Sequence, residues 1–136
     1  MIGTFEFPYT VKSSDIDELN HAGNYHYLRW AQDAAVAHSS ANGWSPLKYQ
    51  ALESGWVARA HKITYLKPAY ECDALTIKTW VSAMKSATSL RHYEIINASG
   101  EMLAKVETRW AFINFKTQKP TRIPHKVAKC FKLVEY

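Results

Sequence analysis

The segment Ser14 to Tyr25 reads Ser-Asp-Ile-Asp-Glu-Leu-Asn-His-Ala-Gly-Asn-Tyr, with three acids and a histidine just ahead of a helical pattern that opens at Asn24. A helix start presents backbone N–H groups without intrahelical partners and a partial positive charge. An oxygen that gains negative charge in a transition state is stabilised at such a point. A carboxylate a few residues upstream can attack the same centre, or deprotonate a water there. That is a workable arrangement for acyl transfer. Strand geometry sends Asp15 and Asp17 to the same side, so both do not serve as bare nucleophiles, and Asp15 is read as structural. The competing reading is local, since Asp and Asn before a helix also form turns and caps.

Other chemistries lack their residues. His21 and His26 do not share a helical face, and no carboxylate or cysteine completes a metal-ligand set with them. No G-x-S-x-G elbow, P-loop or G-x-G-x-x-G is present. Five tryptophans and eight tyrosines interleave with basic residues, as in single-strand binders. Most of them fall at core positions of strands or of the helix.

Several elements must position the segment. Phe5, Phe7, Tyr9 and Val11 alternate at the strand period of 2, and Pro8 on the other parity marks an edge or bulged strand over Thr4 to Lys12. From Asn24, the expected cap, Tyr27, Leu28, Ala31, Ala34, Ala35 and His38 recur at helical spacing, until Asn42-Gly43 stops the run. The helix is about 18 residues, ~27 Å long. Ser45-Pro46 opens a short helix that Ser54-Gly55 ends. Four strands follow: Trp56 to Leu66, Leu75 to Ala83, Ser89 to Asn97, and Met102 to Phe112. Pro124 to Phe131 is read as a short terminal helix. With no helices between the late strands, they pair antiparallel. The expected fold is one α+β domain in which a curved antiparallel sheet wraps a long, alanine-rich helix.

The chain has 136 residues, enough for one domain with a core that needs no staples. Its apolar share of 47% and charged share of 21% exclude a disordered, collagen-like or disulfide-scaffold chain. No stretch approaches the ~20 apolar residues of a membrane span. MIGTFEFPYTVK does not read as a secretory signal. Cys72 and Cys130 suit a reducing compartment, and a cytoplasmic location is expected. The net charge of +5 favours an anionic partner without naming one.

Asp15-x-Asp17-x-x-Asn20-His21-x-x-Asn24-x-x-Tyr27-Leu28 resembles the D-x-D-x-x-G-H-V-N-N-x-x-Y-L pattern of the hotdog-fold acyl-CoA thioesterases, in the 4-hydroxybenzoyl-CoA thioesterase-like branch. Tyr65-Leu66-Lys67-Pro68-Ala69, Asp73-Ala74-Leu75-Thr76-Ile77 and Lys119-Pro120-Thr121-Arg122-Ile123-Pro124 resemble further motifs of that family, in family order across nearly the whole chain. The resemblance implies a hotdog fold, with a central helix wrapped by five or six antiparallel strands. It implies hydrolysis of an acyl-CoA thioester, with Asp17 as nucleophile or general base. Backbone N–H groups near Asn24 and Tyr25 would hold the carbonyl oxygen, while His21 and Asn24 shape the loop or hold the water. It further implies a homodimer or homotetramer with sites shared between subunits. No metal or redox cofactor, nucleic-acid partner or membrane partner is expected. Tyr27 and Trp30 are candidates for the acyl pocket, with core packing as the competing role. Two positions depart from the pattern, Asn20 where the family has glycine and Gly23 where it has its first asparagine.

The family's nucleotide end maps near the connection between the second and third late strands. There Lys85 and Arg91 could meet phosphate, and Ser86 and Thr88 could add hydroxyls, against the alternative of a solvated hairpin. His21 with Asp17 also leaves room for a hotdog hydratase or dehydratase. A non-catalytic protein that binds acyl-CoA or acyl-carrier protein is the rival from another class.

Overall fold

The computed structural model describes residues 3–136. The alternating segment forms β1 (Phe5–Thr10), with Phe5, Phe7 and Tyr9 turned inward and the intervening residues exposed. The helical pattern forms α1 (Asn24–Ala41), followed by α2 (Pro46–Leu52). The remaining strands are β2 (Ser54–Tyr65), β3 (Ala74–Met84), β4 (Thr88–Ile96) and β5 (Met102–Asn114). The terminal helix α3 (His125–Ala128) is a single turn, shorter than its apolar spacing suggests. The five strands make one antiparallel sheet in the order β1-β3-β4-β5-β2. Register shifts between Ala58 and Ala60 in β2, and between Val81 and Ala83 in β3, add the local bend that curves a sheet around a helix.

The inner face of α1 is Tyr27, Trp30, Ala31, Ala34 and Ala35, packed on Leu75, Ile77, Tyr93, Ile95 and Val106 of the sheet. Alanine at three of those positions lets the sheet backbone approach closely. A second cluster of Trp44, Tyr49, Val81, Phe112, Val127 and Phe131 fills the other end. Trp30 and Tyr27 are core residues, and with Trp44, Tyr49 and Tyr93 also buried they offer no stacking platform for bases.

The end of α1 matches its sequence signal. Gly43, at φ +98°, donates to the Ser40 carbonyl, and Trp44 N–H donates to the Ser39 carbonyl, which caps the helix. The start differs from expectation. Gly23, not Asn24, is the capping residue, and it supplies no side chain to the first turn. Cys72 and Cys130 are unpaired. No helix among the described residues is long and apolar enough to cross a membrane.

Candidate active site

Asp15 and Asp17 stand at the entry to a tight reversal and meet opposite environments, not the shared side expected of a strand, because Asp15 closes a 3-10 turn. A short 3-10 turn, Ser13–Asp15, leads into it. Ile16 then bridges to Ala22, Asp17 N–H donates to the His21 carbonyl at 3.0 Å, and Asn20 N–H donates to the Asp17 carbonyl at 3.1 Å. Asn20 sits at φ +68°, a left-handed conformation that asparagine tolerates better than most side chains. The family's glycine position is therefore filled by a residue that preserves the turn. Ala22 N–H donates to the Ala69 carbonyl at 2.8 Å, and Gly23 N–H to the Asp15 carbonyl at 3.0 Å, so the loop is tied to both the core and the helix start.

The Asp15 side chain is only 1% exposed. It accepts from the Tyr9 hydroxyl at 2.6 Å, from Lys12 N–H at 3.0 Å and from Arg29 Nη2 at 2.8 Å, with His26 Nδ1 at 3.4 Å. Burial pushes its carboxyl up, but the bonds from Tyr9, Lys12 and Arg29 outweigh that and hold it below its ordinary value. A carboxylate with its acceptor positions filled by donors is anchored, as the reading of Asp15 as structural anticipates.

Asp17 is exposed. Its Oδ1 accepts from Leu19 N–H at 2.9 Å, which fixes its rotamer, and His21 Nδ1 lies 4.0 Å away. His21 is half-buried, with Nδ1 3.4 Å from the Ala22 carbonyl. Asp17 adds to the upward pull on the Tyr27 phenol, after burial as the main cause. Tyr27 accepts from Ala69 N–H at 2.9 Å and so stitches α1 to the same backbone that holds Ala22. Asn24 and Tyr25 stand at the helix start, both with exposed side chains. Because Gly23 caps without a side chain, neither the Asn24 nor the Tyr25 N–H has an acceptor among the described residues. Tyr65 donates to the Asn24 carbonyl at 3.1 Å and steadies that end. The reversal thus joins an open carboxylate to a helix start with open N–H groups.

The residues expected at the nucleotide end lie far from Asp17 within one chain. The β3–β4 hairpin carries Lys85 and Ser86 exposed and Thr88 half-buried. It is pinned by Lys85 N–H on the Thr88 carbonyl and by Ile123 N–H on the Ser86 carbonyl. It stands at the far end of β3 from Asp73, whose carbonyl accepts from Val11 beside the Asp15 loop. An 11-residue strand spans about 35 Å. Within one chain, then, Lys85, Ser86 and Thr88 are not brought together with Asp17. Arg91 corrects the expectation of a surface phosphate fork. It is 5% exposed and points inward, donating from Nη1 to His38 Nδ1 at 2.9 Å and to Thr79 Oγ1 at 3.0 Å. It shares the strand parity of the buried Ser89, Tyr93 and Ile95, a signal that its charge obscured.

A cavity of about 290 Å³ opens beside the C-terminal half of α1, lined by Ala35, Ser39, Tyr49, Trp56, Trp110 and Arg91 among others. Nothing in the sequence marked it, because its walls come from α1, α2 and four strands. No group of three His, Cys, Asp or Glu among the described residues is placed to hold a metal ion.

The family model for the acyl-ACP thioesterase N-terminal domain matches residues 3–131. Among solved structures, a DHNA-CoA thioesterase from Staphylococcus aureus superposes with a TM-score of 0.88 at 20% identity, over 94% of this chain and 90% of that one. A 1,4-dihydroxy-2-naphthoyl-CoA thioesterase from Synechocystis superposes at 0.87 and 20% identity, over 94% and 95%. A second S. aureus protein, solved in complex with CoA, superposes at 0.89 and 20% identity, over 96% and 83%. No curated protein matches the sequence. At these identities the superpositions establish the shared hotdog fold.

Proposed function

Since this chain belongs to the acyl-ACP thioesterase N-terminal domain family, a family of thioester hydrolases, we propose that it hydrolyses acyl-CoA thioesters at the Asp17 loop. The observation that carries this reading is the pairing of the open Asp17 carboxylate with the uncapped start of α1. The thioester carbonyl oxygen rests on the Asn24 and Tyr25 N–H groups, where developing negative charge meets oriented donors. Asp17 either attacks the carbonyl carbon, so that the C–S bond breaks, CoA thiolate leaves and water then cleaves the resulting anhydride, or takes a proton from an attacking water and passes it to the thiolate as the C–S bond breaks. His21 borders the acid and shapes the loop. CoA as carrier is consistent with a fold neighbour solved with CoA bound and with the chain's net charge of +5. Thiol release from acyl-CoA thioesters tests the reading. The 4.0 Å approach of His21 to Asp17 is the observation that favours the alternative, a hydratase. Loss of an enoyl-CoA double bond without thiol release would move the assignment there.

The site is completed by a second copy of the chain in a homodimer, or in a homotetramer built from dimers. Asp17 and the Lys85 hairpin occupy opposite ends of one chain, so a single site that uses both draws them from two. Leu19, 70% exposed, is hydrogen-bonded to Asp17, and Tyr25, 74% exposed, lies in the first turn of α1. Tyr65, Leu66 and Tyr70 add further exposed apolar surface near the same end. β2 is an edge strand whose outer half, from Arg59 to Tyr65, is mostly exposed. Light scattering at micromolar concentration is expected to give a dimer or a tetramer. A fully active monomer would contradict a shared site.

In that assembly Lys85, with Ser86 and Thr88, meets the CoA phosphates. Lys85→Glu is expected to raise KM for an acyl-CoA several-fold with kcat little changed. The matching acyl-pantetheine, which lacks the nucleotide phosphates, should be turned over as by the wild type. Equal losses on both substrates would mean that the substitution damages the fold or the acyl site, and no loss on either would place the phosphate site elsewhere. A cytoplasmic location, which the unpaired Cys72 and Cys130 suit, is part of this reading.

A further inference from the structure

Arg91 presents a charge that the proposed chemistry does not use. The residue is 5% exposed, yet no Asp or Glu among the described residues forms an ion pair with its guanidinium. Its hydrogen-bond acceptors, His38 Nδ1 and Thr79 Oγ1, carry no negative charge. Burial lowers the guanidinium's pKa, opposed only by the phenols of Tyr93 and Tyr49. Arginine nevertheless remains protonated in proteins. A buried cation without a counter-ion is costly to hold. This one lines the 290 Å³ cavity, whose other walls are largely apolar and aromatic, Trp56, Trp110, Val81, Met84 and Phe131 among them. Ser39 and Tyr49, hydrogen-bonded to each other at 3.0 Å, add a polar patch to the same wall.

We propose that this cavity binds an organic carboxylate, its acid group on Arg91 and its apolar body against the tryptophan-lined wall. The planar guanidinium matches a carboxylate's two oxygens, and an incoming anion would neutralise the lone buried charge. The ligand is therefore an amphipathic acid with a hydrocarbon or aromatic body. Its carboxylate has two possible sources, the far end of a dicarboxylic acyl group on the thioester substrate or a free acid bound in its own right.

Calorimetric titration with octanoate and with 1-octanol tests the site without any turnover. The wild-type chain is expected to bind octanoate at least about tenfold more tightly than octanol, the scale of one charge-assisted bond. Arg91→Met preserves volume and removes the lone charge, so the fold should persist, as a thermal melt will report. It should abolish the preference for octanoate and leave octanol binding unchanged. Arg91→Lys, which keeps the charge but not the fork, should retain part of the preference. No octanoate binding by the wild type, no preference over octanol, or a preference that survives in Arg91→Met would each overturn the proposal. Turnover separates the sources. A suberyl-CoA advantage over octanoyl-CoA that disappears in Arg91→Met assigns the carboxylate to the substrate's far end. An octanoate effect on octanoyl-CoA turnover that is not competitive assigns it to a free acid. Octanoate binding by a chain that hydrolyses no thioester would overturn the proposed function and leave this site standing.

Discussion

Asp17→Asn is expected to lower kcat on the best acyl-CoA substrate by at least about 10²-fold, the lower scale of general-base effects. The substitution isolates the charge. An asparagine at this position keeps the oxygen that accepts from Leu19 N–H at 2.9 Å, so the turn from Asp17 to His21 is preserved. Thermal stability should therefore match the wild type, and the loss should fall on kcat more than on KM, as for an interaction made in the transition state. Asp15→Asn should cost much less activity, because that carboxylate is buried and enclosed by Tyr9, Lys12 and Arg29. Wild-type turnover by folded Asp17→Asn would remove Asp17 from the mechanism.

The neighbouring aspartate should show the opposite profile. Asp15→Ala leaves the Tyr9 hydroxyl and the Lys12 N–H without an acceptor and His26 Nδ1 without its nearby acid. Arg29 is half-exposed and turns to water, so its share is small. We expect a loss of about 2–4 kcal/mol and a melting temperature lower by roughly 10 °C. The same site predicts an acid limb. The folded-state pKa of Asp15 lies below its ordinary value of 3.8, so its stabilisation is fully present above that value and is lost as pH falls through the folded pKa. Chemical denaturation from pH 5 down to pH 2 should show a shallower loss in Asp15→Asn than in the wild type. Parallel acid limbs would mean that the Asp15 contacts contribute nothing in solution.

The periodicities suffice to place α1 and all five strands to within a few residues, because each element buries one face and the pattern of that face survives in the sequence. The Asn42-Gly43 stop was equally readable, since a left-handed residue after a helix has few substitutes for glycine. The helix start at Asn24 was readable too, but its capping residue was not. Both Gly23 and Asn24 are acceptable caps, and the choice depends on the Gly23 N–H reaching the Asp15 carbonyl, a contact made by the folded loop. The roles of the two aspartates were separable only in part. Burial of Asp15 depends on Tyr9 and Arg29 arriving from β1 and α1. Arg91 shows the opposite failure. Its alternation with Tyr93 and Ile95 pointed inward, but arginine is rarely buried and was read as surface. The cavity it lines has walls drawn from distant parts of the chain, so no local pattern encodes it.

The most direct measurement is thiol release by the purified chain offered aromatic, medium-chain and long-chain acyl-CoA thioesters. The account predicts that at least one is consumed far above the buffer rate, with one free thiol and one free acid appearing for each thioester lost. Release no faster than in buffer from every acyl-CoA in the panel, by folded protein, would contradict it.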